Sequence, residues 1–272
     1  MSKTLLIIGA AIALLTGGYN ASADITLRLF ISTSINDSGL INYLIPSFKQ
    51  RHSLSIDISV VGTGKALQMG RIGAADVVWV HSPSDEQKFV AEGYGINRRT
   101  VMRSDFVLAG PAHDPAQVAG SGDIVTAMQR IAERRAMFVS RGDDSGNNKR
   151  ELALWRKAKL DPYGSDWYLE TGAGMADSLA LAETKDAYIL IDRATFLVHR
   201  SAEYQLLLED SANLANPYSV IAINPARNSN ANLEAARVFI DWLISPEGQQ
   251  LIADFKHQGQ QLYFPSADSD QP

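Results

Sequence analysis

The chain has 272 residues, 46% of them hydrophobic, with a formal net charge of −5 at neutral pH and no cysteine. Because it is acidic and lacks a basic run, nucleic acid and anionic membrane surfaces are poor candidates as partners. The lack of cysteine excludes disulfides and thiolate metal sites, and the five histidines follow no metal-ligand spacing, so we expect neither a metal nor a cofactor.

The first 23 residues have the layout of a secretory signal peptide. Lys3 precedes an apolar run at residues 5–15, and small residues then lead to Ala21-Ser22-Ala23. The apolar run is shorter than the roughly 20 residues that a membrane-spanning helix needs. No cysteine follows it to carry a lipid anchor. We therefore expect cleavage after Ala23 and release of the mature chain into the periplasm.

Strands and helices alternate along the remainder of the chain. Hydrophobic patterns predict strands at residues 25–31, 55–61, 76–80, 106–110, 137–140, 167–170, 187–191 and 218–224. Helical spacing and capping residues predict helices at residues 40–48, 66–72, 84–92, 124–135, 149–158, 175–183 and 233–244, a short one after residue 192, and another after Ser245. This order predicts an α/β protein with mostly parallel sheets flanked by helices.

Four loops that lead from a strand into a helix are rich in glycine or hydroxyl side chains. They are residues 32–39, 62–65, 140–148 and 172–174. A helix N-terminus presents unpaired N–H groups and the positive end of the helix dipole, which together favour a bound anion. Because such loops meet at the carboxyl ends of strands in an α/β sheet, we expect them to form one shared anion site.

The loop at residues 140–148 is the strongest candidate, because Arg141 adds a full positive charge and a fork of donors suited to oxyanions. A simpler interpretation stays open, in which Asp144 or Ser145 caps the following helix and Arg141 lies in solvent. The loop at residues 62–65 lacks the spacing of a nucleotide-binding P-loop, so a nucleotide ligand is not expected.

Three of these loops together resemble the tungstate-binding periplasmic proteins of ABC transporters. The motifs are Ser32-Thr33-Ser34, Val61-Gly62-Thr63-Gly64-Lys65-Ala66-Leu67 and Ser140-Arg141-Gly142-Asp143-Asp144-Ser145-Gly146. Segments at residues 89–99, 105–107, 167–170 and 192–193 also agree, so the resemblance covers nearly the whole mature chain. It implies a two-lobed type II periplasmic binding protein fold that closes a cleft on a tetrahedral oxyanion, tungstate first and molybdate second, and delivers it to an ABC permease.

The resemblance also implies how the chain divides. Residues 24–108 and 224–272 are expected to form the first lobe, and residues 109–223 the second. We expect a monomer, because such a receptor must open and dock.

The same resemblance implies a set of ligand-binding residues. They are Ser32, Thr33, Ser34, Thr63, Gly64, Lys65, Arg141, Ser145, Gly146, Asn147 and Arg193. Arg141 would neutralise the ligand, Lys65 could equally lie in solvent, and Arg193 could instead form an internal salt bridge. Asp143 and Asp144 are expected to cap the helix or pair with Arg141, because a carboxylate aimed into the pocket would repel a dianion.

Three positions depart from the pattern of this family. Ile31 stands where a hydroxyl residue is usual, Asn147 replaces a threonine, and Ala176 replaces a glycine. These changes are compatible with an oxyanion ligand and bear on the selectivity for tungstate.

Other functions remain as alternatives at this stage. A phosphate or sulfate receptor would use a similar site, and a carboxylate that accepts a proton from the ligand would indicate phosphate. A sensor that binds the anion without transport would look the same in sequence. A secreted hydrolase with Ser34 or Ser145 as nucleophile is disfavoured, because the chain has no G-x-S-x-G motif and no histidine that sequence places as a base. We therefore do not expect an enzyme.

Overall fold

The computed structural model describes residues 26–210 and 213–267, so the predicted signal peptide and its cleavage site lie outside the described residues. The helices are α1 (Thr33–Asp37), α2 (Leu40–Arg51), α3 (Thr63–Arg71), α4 (Pro83–Ala91), α5 (Ile124–Glu133), α6 (Gly146–Lys157), α7 (Met175–Thr184), α8 (Arg193–His199), α9 (Leu233–Ile244) and α10 (Pro246–Asp254). The strands are β1 (Thr26–Ser32), β2 (Ser55–Val61), β3 (Val77–Val80), β4 (Gly95–Pro111), β5 (Phe138–Ser140), β6 (Tyr168–Glu170), β7 (Tyr188–Asp192), β8 (Tyr204–Leu208), β9 (Ala215–Ile223), β10 (Lys256–His257), β11 (Gln260–Gln261) and β12 (Phe264–Pro265).

The long strand β4 joins two halves of the molecule. Its first part, Gly95–Asp105, pairs with β9, and its last part, from Phe106 onward, pairs with β7 and β8. The strand order is β2-β1-β3-β9-β4-β7-β5-β6. Since β9 runs antiparallel to β4, the chain enters the second half along one strand and returns along the other.

The sheets are parallel on either side of these two crossing strands. β1 is parallel to β2 and β3, and β5 is parallel to β6 and β7, as the alternation of strands and helices predicts. The crossing strands β4 and β9 are antiparallel to their neighbours, because they carry the chain in opposite directions between the halves. The α/β fold is therefore confirmed, with an antiparallel centre.

Each half has hydrophobic cores of its own. In the first half, Leu29, Trp79 and Phe239 pack in a fully buried cluster between the sheet and helices α2 and α9. In the second, Phe138 and Trp155 lie in a separate cluster beneath α5 and α6. Burial of this apolar surface is the main stabilising contribution to each lobe.

The strand pairing differs from the expected lobe boundaries by a few residues at the first crossing, where β4 pairs with β7 from Phe106 onward, and by more at the second. β9 pairs with β3 and with the first part of β4, so it belongs to the sheet of the first lobe. We propose that the chain returns to the first lobe near residue 214 rather than at residue 223.

Sequence patterns missed two features that bear on the cleft. The first part of β4 contains three arginines, Arg98, Arg99 and Arg103, which interrupt its apolar residues and obscure the strand pattern. Helix α1 was expected to be a loop, because serine, asparagine and aspartate favour turns over helix interiors.

Candidate ligand-binding site

Four helices begin in the cleft between the lobes. Helices α1 and α3 follow β1 and β2 in the first lobe, and α6 and α7 follow β5 and β6 in the second. Among them, α1, α3 and α7 have no side-chain hydrogen bond at the N-cap. At α6 the Ser145 hydroxyl accepts a hydrogen bond from the Asn148 N–H. First-turn N–H groups of the three longer helices, α3, α6 and α7, therefore remain available to a ligand.

Ser32, Thr33 and Ser34 form a hydroxyl cluster at the end of β1. Ser32 and Ser34 are buried, with their Oγ atoms 3.2 Å apart. The Thr33 hydroxyl accepts a hydrogen bond of 2.9 Å from Arg141 Nη1, which spans the cleft. The structure thus brings this predicted cluster to the second lobe.

Thr63 and Gly64 begin helix α3 on the same side of the cleft. Thr63 is fully buried, and its hydroxyl has no hydrogen-bond partner within residues 26–210 and 213–267. A buried hydroxyl without a partner costs free energy, which a ligand oxygen would recover. Thr63 is therefore the clearest side-chain donor of the first lobe.

Lys65 points away from the cleft. Its side chain is exposed, and Nζ donates a hydrogen bond of 3.4 Å to Gln68 on the next turn of α3. The solvent-exposed alternative for Lys65 agrees with this geometry.

Replacing Lys65 by alanine is expected to change oxyanion affinity by less than about threefold, because an exposed ammonium is well solvated and screened. Calorimetric titration of Lys65→Ala beside wild type measures this. A loss of tenfold or more would place Lys65 in the site.

Arg141 is the central group of the second lobe. Its side chain is only 3% exposed, and besides the bond to Thr33 it donates from Nη2 to Asp143 Oδ2 at 2.5 Å. The Nε–H is buried and has no hydrogen-bond partner in the part of the chain that the structure describes. Arg141 is therefore not in solvent, and one edge of its guanidinium keeps a free donor.

The two aspartates of the motif occupy different environments. Asp143 accepts from Arg141 and from the Ser145 N–H, so it combines both expected roles, pairing and capping. Asp144 is 74% exposed, pairs with Lys149 Nζ at 3.3 Å, and lies against Gly64 across the cleft.

Ser145, Gly146 and Asn147 form the start of α6 and are all buried. A β-carbon on Gly146 would lie 2.9 Å from both the carbonyl oxygen and the Cε1 of His81 in the first lobe, so only glycine permits this approach. Asn147 turns its amide nitrogen toward Met175 Sδ and the Leu190 carbonyl, which leaves its backbone N–H as its contribution to the site.

Arg193 lies outside the cluster. Its guanidinium donates to both carboxylate oxygens of Asp105 at 2.6 and 2.7 Å, and Nη1 pairs with Glu209 at 2.9 Å. These carboxylates raise the pKa of Arg193 above its ordinary value. The internal salt-bridge alternative fits these contacts, and we do not include Arg193 among the proposed ligand contacts.

Sequence reasoning missed a hydrogen-bonded ring behind Ser34. Asn216 Nδ2 donates to the Tyr218 hydroxyl, which donates to Ser34 Oγ. Ser34 lies 3.5 Å from His81 Nε2, and His81 Nδ1 lies 2.9 Å from Asn216 Oδ1. Because an amide oxygen only accepts, Nδ1 carries the proton and Nε2 accepts from Ser34. The position of His81 directly after β3 was the available signal.

Ser34, His81 and Asn216 follow the order of a nucleophile, a base and an orienting residue, but they are unsuited to catalysis. Ser34 is completely buried and also accepts from Tyr218. Burial is the main cause that lowers the pKa of His81 to about 4, and the nearby Arg141 charge lowers it further. A base this weak, beside a hydroxyl that is already engaged with Ser32 and Tyr218, favours a structural role.

A buried carboxylate, Glu151, lies beneath the start of α6. It accepts hydrogen bonds from Ser140 Oγ, Trp155 Nε1 and the Tyr168 hydroxyl at 2.6, 3.0 and 2.7 Å. Desolvation nevertheless outweighs these bonds and raises the pKa of Glu151 to about 7. The group anchors the loop that carries Arg141, since Ser140 also accepts from Asn148.

This raised pKa predicts how stability depends on pH. A carboxyl with a higher pKa in the folded state stabilises the protein below its unfolded value of 4.5, and this contribution is lost as pH rises through about 7. In the wild-type protein this group should lower the free energy of unfolding by about 3 kcal/mol between pH 4.5 and 8. Glu151→Gln should not show that decrease. Urea unfolding across this range measures it, with the exposed Glu133→Gln as control. Parallel wild-type and Glu151→Gln profiles would contradict the expectation.

Across residues 26–210 and 213–267, no helix is both long and apolar enough to cross a membrane. The same part of the chain has no group of three or more histidine, aspartate or glutamate side chains placed to hold a metal.

Comparison with known proteins agrees with this geometry. A family model described as a PBP superfamily domain matches residues 20–247. The chain is 43% identical over 247 residues to the tungstate-binding protein TupA of Peptoclostridium acidaminophilum, covering 89% of this chain and 86% of that protein. A solved structure of the tungstate ABC transporter from Geobacter sulfurreducens matches with a TM-score of 0.77 at 40% identity, covering 85% of this chain and 98% of that one. TupA from Desulfovibrio alaskensis matches with a TM-score of 0.76 at 37% identity, covering 90% and 100%.

Two α/β lobes with helix N-termini and a buried arginine in the cleft between them define a two-lobed solute-binding protein. The chain belongs to the PBP superfamily, and within it to the family of tungstate-binding periplasmic proteins of ABC transporters. The resemblance carried by the three sequence motifs is thereby confirmed, and so is the two-lobed type II fold.

Proposed function

We propose that this protein captures a tetrahedral oxyanion in the periplasm, tungstate first and molybdate second, and delivers it to an ABC permease. The observation that carries the proposal is that two buried donors of these loops, Arg141 Nε and Thr63 Oγ1, have no hydrogen-bond partner among the described residues. The names of the relatives at 34–43% identity support tungstate as the first candidate.

Recognition follows from the charge of the ligand. A dianion leaves water only if donors replace its hydration shell and a cation offsets its charge. Arg141 provides that cation and a directed fork. The further donors are hydroxyls and backbone N–H groups at the starts of the cleft helices. They come from Ser32, Thr33, Thr63, Gly64, Ser145, Gly146 and Asn147.

Ser34 has a different role in this proposal. Its hydroxyl lies within hydrogen-bond distance of His81 Nε2 and Ser32 Oγ and accepts from Tyr218, so in this proposal it orders the cluster rather than contacting the ligand.

Binding is coupled to closure of the lobes in this proposal. Ligand groups come from both sides of the cleft, and Arg141 already contacts Thr33 across it. An oxyanion held by both lobes stabilises the closed form by its differential affinity. The closed surface is then presented to the permease, which must separate the lobes to release the ligand.

Calorimetric titration of the mature chain from Asp24 onward tests the proposal. Sodium tungstate, molybdate, phosphate and sulfate are compared at neutral pH. Tungstate is expected to bind most tightly, with molybdate next. Tighter binding of phosphate or sulfate would assign the receptor to that anion instead. No measurable binding of any of the four anions would reject an oxyanion site.

Phosphate is the second candidate ligand, because Asp143 is a carboxylate beside Arg141 that could accept a ligand proton. Its oxygens already accept from Arg141 and Ser145, which favours a fully deprotonated ligand.

We further propose that the protein acts without catalysis and as a monomer. Light scattering with and without tungstate measures the oligomeric state. Uptake by cells that lack the gene distinguishes transport from sensing.

A further inference from the structure

Asp143 uses the same donors that an oxyanion would use. Its Oδ2 accepts from Arg141 Nη2 at 2.5 Å, and its Oδ1 accepts from the Ser145 N–H at 3.2 Å. The side chain is 17% exposed. It also faces the first lobe, since a β-carbon on Gly62 at the start of α3 would lie 3.6 Å from Oδ2. The carboxylate therefore lies among the donors of both lobes.

We propose that Asp143 is an internal counter-anion of Arg141, with which the bound oxyanion competes, and that Asp143 thereby sets the affinity of the site. This inference rests on the oxyanion-binding function proposed above.

The argument compares the protein with and without ligand. Without ligand, the buried guanidinium needs an opposite charge, because an unpaired buried charge is strongly destabilising. Asp143 supplies that charge. With a dianion beside Arg141, the ligand supplies the charge, and the Asp143 carboxylate becomes a like charge at close range. Asp143 thus stabilises the ligand-free protein more than the complex.

This difference has an unusual signature. Affinity is the free-energy difference between the complex and the ligand-free protein, so neutralising Asp143 should lower stability without ligand and tighten binding at once. Replacing a merely structural residue would lower both the stability without ligand and the affinity for the ligand. A residue that only positions Arg141 would weaken binding.

The chain offers a matched control at the next position. Asp144 carries the same charge and borders the same helix, but it is 74% exposed and pairs with Lys149 instead of Arg141. Its backbone has a φ of 58°, which asparagine tolerates well. Asp143→Asn and Asp144→Asn therefore change the net charge equally.

The experiment titrates sodium tungstate into wild type and both variants by calorimetry and measures the melting temperature of each without ligand. Asp143→Asn is expected to melt lower and to bind tungstate roughly tenfold more tightly. Asp144→Asn should bind within about twofold of wild type. If Asp143→Asn does not fold, Asp143→Ser keeps an acceptor for the Ser145 N–H without the charge and carries the same expectation.

Weaker or unchanged tungstate binding by Asp143→Asn, or by Asp143→Ser in its place, would overturn the inference. Equal tightening by Asp144→Asn would overturn it as well. Tight wild-type binding with either result leaves the proposed function intact. Absence of tungstate binding by the wild-type protein would instead reject the proposed function and this inference together.

Discussion

Replacing Arg141 by alanine is expected to weaken tungstate binding roughly a thousandfold. Truncation of one member of a buried, hydrogen-bonded charge pair costs about 2–5 kcal/mol or more. Here the loss is at the upper end, because the Arg141 guanidinium is buried with an Nε–H that no described residue accepts, and Asp143 would be left to repel the ligand. Calorimetric titration at neutral pH measures the effect.

Two further variants separate charge from geometry in this prediction. Arg141→Lys keeps the charge but loses the planar fork, so an intermediate loss of about ten- to a hundredfold is expected. Arg156→Ala removes an exposed arginine from helix α6, which follows the loop of Arg141, and should leave affinity unchanged. If Arg141→Ala binds within tenfold of wild type, Arg141 does not neutralise the ligand.

Replacing Gly146 by alanine is expected to weaken binding about a hundredfold by holding the lobes apart. The added β-carbon would meet the carbonyl oxygen and the ring of His81 at 2.9 Å, closer than ordinary contact allows. His81 cannot move aside easily, because it is stacked on Tyr218 at 4.6 Å and bonded to Asn216. The backbone N–H of residue 146 is retained, so the loss would come from closure and would amount to about 2–3 kcal/mol.

A neighbouring helix start provides the control for this variant. Gly174 also precedes a helix at the cleft, but a β-carbon there would meet only Asp177 at 3.8 Å. Gly174→Ala should therefore keep affinity within about threefold. Small-angle scattering with saturating tungstate should show a more open Gly146→Ala variant. A compact variant with wild-type affinity would contradict the role of this contact.

The sequence was informative where periodicity is strong. Helix α9 and strand β2 have the predicted bounds, Leu233–Ile244 and Ser55–Val61, because their apolar residues recur at regular spacing. The first part of β4 was missed since arginines interrupt its apolar residues. Its partner β9 lies more than a hundred residues away, and no local pattern encodes that pairing.

In the candidate site, too, residues with a local sequence signature were predicted, and residues placed by distant contacts were not. The motif at residues 140–148 identified Arg141, because a charged fork in a glycine-bearing loop has a local signature. Lys65 and Arg193 could not be placed from sequence, since the orientation of a side chain depends on partners elsewhere, here Gln68 and Asp105. His81 was missed because a single histidine has no spacing to interpret, and its position directly after β3 was the one signal that the sequence offered.

The pairing of β4 with β9 also constrains when the protein can fold. The first core contains Leu29 from β1 together with Trp242 and Tyr263 from the end of the chain, and the second lobe is inserted between them. Such distant contacts form slowly, and here they cannot form until nearly the whole chain has been synthesised. The first lobe of a nascent chain therefore cannot complete its core until its last segments have been synthesised, whereas the second lobe contains all the residues of its own core.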